Sequence, residues 1–210
     1  MIQYVDIFSY RIQPRIIHFS ISILLAILWL FFASKHIDAY RTSGMLAFLA
    51  ICISESFQAF FFLIRQEPSD VSREPIAWFA ASCATFFPFL LRPGGGVLFE
   101  YANIILICGV VIQVLALFSL NRSFSIIPAN RHIKTKGMYA FVRHPMYFSY
   151  LIIFIGYLLF NATLMNLEIV LSTFMFLFLR INEEEKLLLK DRSYQAYTQR
   201  VKWRVIPFVY

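Results

Sequence analysis

The sequence predicts an all-α protein, a bundle of about five to six transmembrane helices that ends in a helical hairpin and an amphipathic interfacial tail. Of its 210 residues, 60% are hydrophobic and 15% are charged. A soluble domain averages about 45–50% apolar and about 25% charged residues, and a chain of this size cannot hide such an apolar surplus in one core. Long apolar stretches recur along the chain, and basic residues gather between them. Both features are typical of a membrane protein.

Four apolar stretches in the first part of the chain have the length of a membrane span, about 20 residues. They cover residues 16–34, 44–64, 75–91 and 97–120. The first is too long for a signal-peptide core and is expected to be retained, while residues 1–13 are expected to lie along the membrane surface. Pro75 stands at a span start, where proline is tolerated, and Pro88 is expected to kink the third span.

Two shorter apolar runs, 146–160 and 167–180, follow a polar loop at 121–144. The segment between the runs, "NATLMN", has turn and cap character, so a hairpin is predicted. Each run is short for a full crossing, which leaves open whether the hairpin spans or only dips into the bilayer. Residues 181–210 are expected to form an amphipathic helix at the membrane surface that ends before Pro207.

The distribution of basic residues predicts which side of the membrane each loop occupies. Sixteen Lys and Arg residues fall in the N-terminus, the 65–74 loop, the 121–144 loop and the tail, and three fall in the remaining loops. Cytoplasmic loops carry the excess of Lys and Arg. Both termini are therefore predicted to be cytoplasmic, in a bacterial inner membrane or the endoplasmic reticulum. The predicted division is into N-terminal membrane helices, 1–120, and a C-terminal core, 121–210.

Several classes of function are disfavoured by the composition. The net charge of +7 sits next to apolar spans, which fits an anionic membrane surface better than nucleic acid. Cys52, Cys83 and Cys108 lie inside apolar spans without metal or disulfide spacing, so no metal is expected. Glu55 and Gln58 share a face of the second span, where they either make an interior hydrogen bond between helices or form a functional site.

The polar stretch "YAFVRHPMYFSY", residues 139–150, stands at the mouth of the fifth apolar run. Pro145 suits the first turn of a helix, and the residue before a proline is extended, so His144 is expected to point away from the helix. The N–H groups of such a helix start favour a carboxylate. The alternative is a basic anchor beside the membrane, formed by Arg143 with an interfacial Tyr147.

Three consecutive acids, Glu183 to Glu185, follow the second run of the hairpin, which returns them to the same side of the membrane as residue 145. They are either a solvated helix turn neutralised by Arg180 and Lys186, or a group in which one carboxylate faces a cationic ligand. S-adenosylmethionine fits both polar segments, since it offers a carboxylate to the helix start and an amine and a sulfonium to the acid.

Four blocks in this part of the chain form a recognisable pattern. They read "RSFSI" at 122–126, "KTKGMYAFVRHPMY" at 134–147, "RINEEEKLL" at 180–188 and "YQAYTQRV" at 194–201, followed by Pro207. In this order they resemble the isoprenylcysteine carboxyl methyltransferase family, which belongs with the membrane phospholipid methyltransferases. The resemblance covers about residues 121–208.

The resemblance implies a multi-span membrane enzyme that uses S-adenosylmethionine to methylate an amphiphilic or lipidated acceptor at the cytosolic membrane interface. Arg180 would contact the acceptor, and Arg143 and Glu183 would organise the catalytic site. The positions that would bind the cofactor are Arg131, His132, Ile133, Lys134, Tyr139, His144, Pro145, Met146, Tyr147 and Glu184.

Two departures and two alternatives accompany this prediction. The sequence has "KDRS" at 190–193 where the family usually has Phe-Gly, and Ser149 where it commonly has glycine, so the packing of the lid and the substrate entrance are expected to differ. The alternatives are a non-catalytic protein or small transporter built around Glu55, and a sterol-reductase-like enzyme that uses NADPH.

Overall fold

The computed structural model describes residues 14–93 and 95–210, with side chains from residue 16 onward. Residues 1–13, which include the predicted surface segment and Arg11, lie outside the described residues. Seven α-helices are present within the described ranges: α1 Pro14–Ser43, α2 Leu46–Ile64, α3 Pro75–Phe86, α4 Ala102–Leu120, α5 Pro145–Phe160, α6 Leu164–Leu188 and α7 Arg192–Arg200. Two short strands, β1 Asp70–Val71 and β2 Ala129–Asn130, pair antiparallel.

Four of these helices are long and apolar enough to cross a membrane: α1 over Ile16–Ser43, α2, α4 and α6. The helices α3 and α5 are apolar but shorter. Large apolar side chains on the outer surfaces of the helices are exposed, among them Leu24, Phe60 and Leu171. Such surfaces suit contact with lipid. The predicted all-α membrane bundle is confirmed.

Several elements differ from their predicted bounds, including α4, which begins five residues later than predicted, and α6, which is longer than predicted at both ends. The first helix continues to Ser43, nine residues beyond the predicted end of its span. The α-helix α3 ends at Phe86, and a 3₁₀ turn over Phe87–Leu90 follows it. The α-helix ends here because Pro88 has no N–H to donate to an α-helical hydrogen bond.

The predicted tail helix is instead two helices. Residues 181–188 complete α6, and α7 begins anew at Arg192. The side chain of Asp191 accepts a hydrogen bond from the Ser193 N–H, which caps α7 and fixes the break.

The six apolar helices enclose a central space. Each contacts the next in the order α1, α2, α4, α5, α6 and α3. The Phe32 ring on α1 stacks on Phe89 in the turn after α3, with ring centroids 3.8 Å apart, which closes the circle. The bundle is therefore arranged around an interior that side chains of all six helices can reach.

The closest helix contact is between α4 and α5, and two glycines permit it. A Cβ placed on Gly156 would lie 2.7 Å from the backbone nitrogen of Leu106. A Cβ on Gly109 would lie 2.9 Å from the backbone nitrogen of Ile153. Small residues allow this kind of backbone approach between membrane helices.

The loops gather at two ends of the bundle as the charge distribution predicted. Strand pairing joins the 65–74 and 121–144 loops at one end, called the site end below. The tail joins the same end, because the Arg143 and His144 N–H groups donate to the carbonyls of Trp203 and Arg204. At the opposite end, Gly96 pairs with Ala162, and Asn166 bonds to the Arg92 backbone.

Candidate functional site

A cleft of about 90 Å³ opens at the site end, between the 120–134 loop, the start of α5, the end of α6 and the tail. Its walls combine aromatic rings with buried charged groups. A cavity that encloses a drug-sized ligand is typically about 300–1,000 Å³. The cleft must therefore widen before it can hold a ligand the size of a nucleoside.

A buried carboxylate, Glu185, connects the parts around the cleft. Arg143 donates to both of its oxygens in a bidentate pair, from Nε at 2.9 Å and from Nη2 at 3.0 Å. His144 Nε2 lies 2.8 Å from Oε1, and the Tyr194 hydroxyl donates to the same oxygen at 2.7 Å. Arg143 Nη1 also donates to the carbonyls of Val201 and Lys202. This cluster ties the entry of α5 to α6 and to the tail.

The neighbouring acid, Glu184, faces the cleft. The Tyr147 hydroxyl donates to Glu184 Oε2 at 2.5 Å. Glu183 does not face the cleft. It forms an ion pair at 2.5 Å with Lys186, and the Lys186 side chain is 71% exposed. One carboxylate of the three is therefore available to a ligand in the cleft, and a second holds the structure together.

Arg131 is a buried cation with an unused donor. Its Nε–H donates to the Gln66 carbonyl at 2.8 Å, and its Nη1 has no hydrogen-bond partner among the described residues. Burial, and to a smaller extent the charge of Arg65, lowers the pKa of Arg131 to about 10. The guanidinium is thus charged at neutral pH and lacks one partner, which favours an anionic ligand group at this position.

The loop that carries Arg131 is held in an uncommon shape. The Ser123 hydroxyl lies 3.0 Å from the Arg131 carbonyl and 3.2 Å from the His132 carbonyl. His132 has a φ of 92°, in the left-handed region that a non-glycine residue seldom adopts. Strained backbone of this kind concentrates at ligand sites.

Arg180 is a second buried cation without a carboxylate partner in the described part of the chain. It is 7% exposed, donates to Thr85 at 3.3 Å and to the Ser125 carbonyl at 3.2 Å, and leaves Nε unpaired. Its guanidinium also lies 5.1 Å from the centre of the Tyr147 ring. An uncompensated charge at membrane depth marks a functional position.

The tail covers the cleft with two tyrosines of α7. The Tyr197 hydroxyl donates to the Tyr139 carbonyl at 2.6 Å, and Tyr194 bonds to Glu185. Burial raises the pKa of both α7 tyrosines, so both stay protonated as donors. Burial, with a smaller contribution from the charge of Glu184, likewise raises the pKa of Tyr139 well above its usual value.

Most of the residues predicted for the site lie around the cleft. The predicted residues that line it are Arg131, His132, Ile133, Lys134, Tyr139, Arg143, His144, Met146, Tyr147, Arg180 and Glu184. Pro145 and Glu183 do not line it. Their predicted roles in cofactor binding and in organising the site stay predictions. Pro145 starts α5, as the sequence indicated.

The start of α5 offers less to an anion than the sequence predicted. The Tyr147 and Phe148 N–H groups both donate to the His144 carbonyl, so those two donors are already used. The unpaired Arg131 guanidinium is the stronger candidate for a ligand carboxylate.

Sequence reasoning missed Glu185, Tyr150 and Tyr194 as parts of the site. The motif resemblance pointed to Glu183 and Glu184, but consecutive residues on an α-helix point about 100° apart. Only the rotation of α6 against α5 decides which acid meets Arg143. The bidentate preference of arginine for a carboxylate was an available signal that Arg143 would take one of the three.

A second cavity, called the chamber, occupies the interior of the helix circle. It has a volume of about 400 Å³, and its walls come from all six apolar helices. Aromatic rings such as Trp29, Phe32 and Phe154 line most of it, together with Glu55 and Gln58. Tyr150 and Arg180 line both the cleft and the chamber. The two cavities therefore meet at a tyrosine and an unpaired arginine.

Comparison with known proteins gives one match. Residues 102–190 match the model of the isoprenylcysteine carboxyl methyltransferase (ICMT) family. No curated protein and no solved structure matches the chain.

The family match confirms the resemblance for the three motif blocks that lie within residues 102–190. The matched region also includes α4, and it ends before α7. With the four long apolar helices, the match indicates an integral membrane methyltransferase. The division into 1–120 and 121–210 stays a prediction.

Proposed function

We propose that this protein transfers a methyl group from S-adenosylmethionine to the carboxylate of an amphiphilic acceptor at the cytosolic face of a membrane. One observation carries the proposal: a polar cleft and an apolar chamber meet at a buried arginine, Arg180, that forms no ion pair with a carboxylate among the described residues. A water-soluble methyl donor suits the first cavity, and a lipid-like acceptor suits the second.

The residues around the cleft fit the polar groups of S-adenosylmethionine. The Arg131 guanidinium, whose Nη1 has no partner among the described residues, suits its carboxylate, and the Glu184 carboxylate suits its amine or its sulfonium charge. Tyr139 and Tyr147 add aromatic surface. The cleft is small, so the tail and the 120–134 loop must move apart for binding.

The chain's own residues supply position and charge rather than covalent chemistry. When bound, S-adenosylmethionine would supply an electrophilic methyl group: the acceptor oxygen forms a bond to the methyl carbon as the carbon–sulfur bond breaks, and the neutral thioether is the leaving group. Arg180 fixes the anionic end of the acceptor at the meeting point of the two cavities, and Tyr150 lies beside it. The Glu185 cluster holds the walls in place, and the tail excludes water. Positioning of this kind supplies about 7–11 kcal/mol.

The unpaired arginine also favours one class of acceptor. A carboxylate pairs with a guanidinium in two parallel hydrogen bonds, whereas an amine acceptor would add a second cation beside Arg180. A carboxylate is already a nucleophile at neutral pH and needs no base to remove a proton. A carboxylate therefore fits this site better than an amine.

The test is to supply membranes that contain the protein with methyl-labelled S-adenosylmethionine. We expect label that is released by mild base, as a carboxyl ester requires, in the lipid or the protein fraction. Arg180→Gln should lose labelling while the purified variant still binds S-adenosylmethionine, because Arg180 contacts the acceptor end. The matched control is Arg92→Gln, an exposed arginine at the opposite end of the bundle.

Two outcomes would contradict the proposal. Label that resists base would indicate an amine or thiol acceptor rather than a carboxylate. Labelling no greater than in membranes without the protein, together with no binding of S-adenosylmethionine in titration calorimetry, would exclude methyl transfer.

A further inference from the structure

The chamber has a polar wall at the middle of the bundle that the proposed function does not use. Glu55 lies at the midpoint of the 19-residue helix α2, and Gln58 lies on the same face one turn further along. Both side chains are buried, with exposures of 7% and 6%, and both line the chamber. The motif blocks and the family match both leave α2 out. Polar groups at this depth are costly unless a partner satisfies them.

The hydrogen-bonding capacity of this wall is only partly used. His36 Nδ1 lies 2.8 Å from Glu55 Oε2 and 3.1 Å from the Phe32 carbonyl. Because a carbonyl only accepts, Nδ1 carries the hydrogen and shares it between the two oxygens. Within the described part of the chain, Glu55 Oε1 accepts no hydrogen bond and the Gln58 amide makes none. One acceptor and one amide therefore face the chamber unpaired.

We infer that the chamber binds an acceptor with two polar ends, a carboxylate at Arg180 and a hydroxyl group at Glu55 and Gln58. An apolar chain would lie between them against the aromatic rings. This inference rests on the proposed function for the placement of the carboxylate, and it adds the substrate class. A hydroxyl can donate to Glu55 Oε1 and accept from the Gln58 amide, which satisfies both groups at once.

Other chain ends fit this wall less well. A plain hydrocarbon end would leave the two polar groups unpaired and dehydrated. An ammonium end would have to lose its hydration in an apolar cavity, and Glu55 Oε2 is already hydrogen-bonded to His36. Lys35 also lines the chamber. Its ammonium group lies 5.2 Å from the Phe31 ring, which is exposed on the outer surface of the bundle, so this ammonium is directed away from Glu55 and Gln58. The terminal hydroxyl is therefore the favoured end.

The experiment measures binding without a methyl donor, so that its result does not depend on catalysis. Purified protein in lipid nanodiscs is incubated with tritiated dodecanoic acid, which unlabelled dodecanoic, ω-hydroxydodecanoic and ω-aminododecanoic acids then displace. We expect the ω-hydroxy acid to displace the label at a concentration about tenfold lower than dodecanoic acid, the effect of one to two added hydrogen bonds. A series of plain and ω-hydroxy acids from octanoic to hexadecanoic locates the best chain length.

The paired variant Glu55→Leu/Gln58→Leu should abolish the preference for the hydroxy acid. It should still bind dodecanoic acid, which shows that it is folded. Arg180→Gln should weaken the binding of the plain and the hydroxy acid by the same factor, because it removes the contact with the carboxylate that both acids have. The control Glu100→Leu changes an exposed acid that does not line the chamber, and it should leave the preference as it is.

Each remaining outcome decides against the inference. Equal displacement by the plain and hydroxy acids over the whole series would mean that the polar wall does not select a ligand. Stronger displacement by ω-aminododecanoic acid than by the hydroxy acid would mean that Glu55 and Gln58 bind an amine. If the preference for the hydroxy acid persists in the paired variant, the hydroxyl group binds somewhere other than Glu55 and Gln58. Methyl transfer without any hydroxyl preference would leave the proposed function standing and refute this inference alone.

Discussion

The buried charges around the cleft differ in whether another residue neutralises them. Arg143 shares a carboxylate with His144, whereas no ion pair with an acid is seen for Arg131 or Arg180 in the described part of the chain, and each keeps a buried N–H without a hydrogen-bond partner there. The ion pair of Arg143 with Glu185 is therefore expected to stabilise the fold, and Arg131 and Arg180 are expected to bind ligands. Two substitutions test this distinction.

Glu185→Gln is expected to destabilise the folded protein by about 3–5 kcal/mol, because it leaves Arg143 buried without a counterion. Thermal unfolding in detergent, followed by intrinsic fluorescence, measures the change. Glu183→Gln is the matched control, since the partner of Glu183 is the exposed Lys186 and such pairs contribute about 0–1 kcal/mol. Equal losses in the two variants would show that the Glu185 cluster is not a stabilising centre.

The pKa of Arg131, lowered to about 10 by burial, predicts how cofactor affinity depends on pH. Below this value the guanidinium is charged, and above it the positive charge is lost. Affinity for S-adenosylmethionine should therefore fall as the pH rises through about 10. Decarboxylated S-adenosylmethionine lacks the group that Arg131 would bind. Because the amines of the two compounds also titrate in this range, and at different pH values, the same series on the Arg131→Gln protein is needed to isolate this contact.

Calorimetric titration of both compounds from about pH 8 to about pH 11 measures the ratio of the two affinities across the expected transition. Arg131→Gln should lower the affinity for S-adenosylmethionine at least about tenfold and bring the two compounds close together. A ratio that stays constant over the series, or that the substitution leaves unchanged, would place the carboxylate away from Arg131.

Residue types and order were enough to predict which parts of the chain meet at the cleft. Arg143, His144, Tyr147 and Glu184 were assigned to it from their motifs, and they line it. The choice of Glu185 over Glu183 was not predictable, because it depends on the rotation of α6. The unpaired Nη1 of Arg131 likewise follows from the surrounding loop rather than from sequence.

At the scale of helices, hydropathy predicted where spans occur but not where helices end. The first span was predicted to stop at residue 34 because the next residues are polar, yet α1 runs to Ser43. A helix can continue past the apolar region, since its backbone bonds are satisfied in either surroundings. The tail was predicted as one helix because apolar residues recur through it, and the cap at Asp191 divides it.

Gly156→Ala tests the close packing of α4 on α5. The added Cβ would lie 2.7 Å from the Leu106 backbone nitrogen, so the two helices must separate. We expect a loss of about 1–3 kcal/mol in thermal unfolding measured in detergent. Gly96→Ala is the control, because nothing lies within 4 Å of the Cβ it would add. A Gly156→Ala variant as stable as this control would mean that the helices are not in close contact.

At the scale of the whole molecule, the loops that carry most of the basic residues meet at the site end. The pairing of β1 with β2 and the bonds from Arg143 and His144 to the tail place these segments together. The positive-inside rule then predicts that this end faces the cytoplasm. Loop charge predicted the common side without any knowledge of the fold, whereas the enclosed chamber needed the three-dimensional arrangement.

Single-cysteine labelling tests this orientation. All three native cysteines are replaced by serine, and one cysteine is introduced at Lys136 in the site-end loop or at Gly96 at the opposite end. In intact cells, a membrane-impermeant maleimide should label the Gly96→Cys protein and spare the Lys136→Cys protein until the membrane is opened. The reverse pattern would place the cleft outside the cytoplasm, away from the supply of S-adenosylmethionine.

The unpaired charge of Arg180 has a consequence for turnover. An acid that enters the chamber neutralises this charge, and the resulting electrostatic attraction holds it in place. Methylation converts the acid to an ester, which is neutral and no longer attracted to the guanidinium. The reaction thereby weakens the binding of its own product, so the ester can leave sideways into lipid while the next anionic molecule is drawn in.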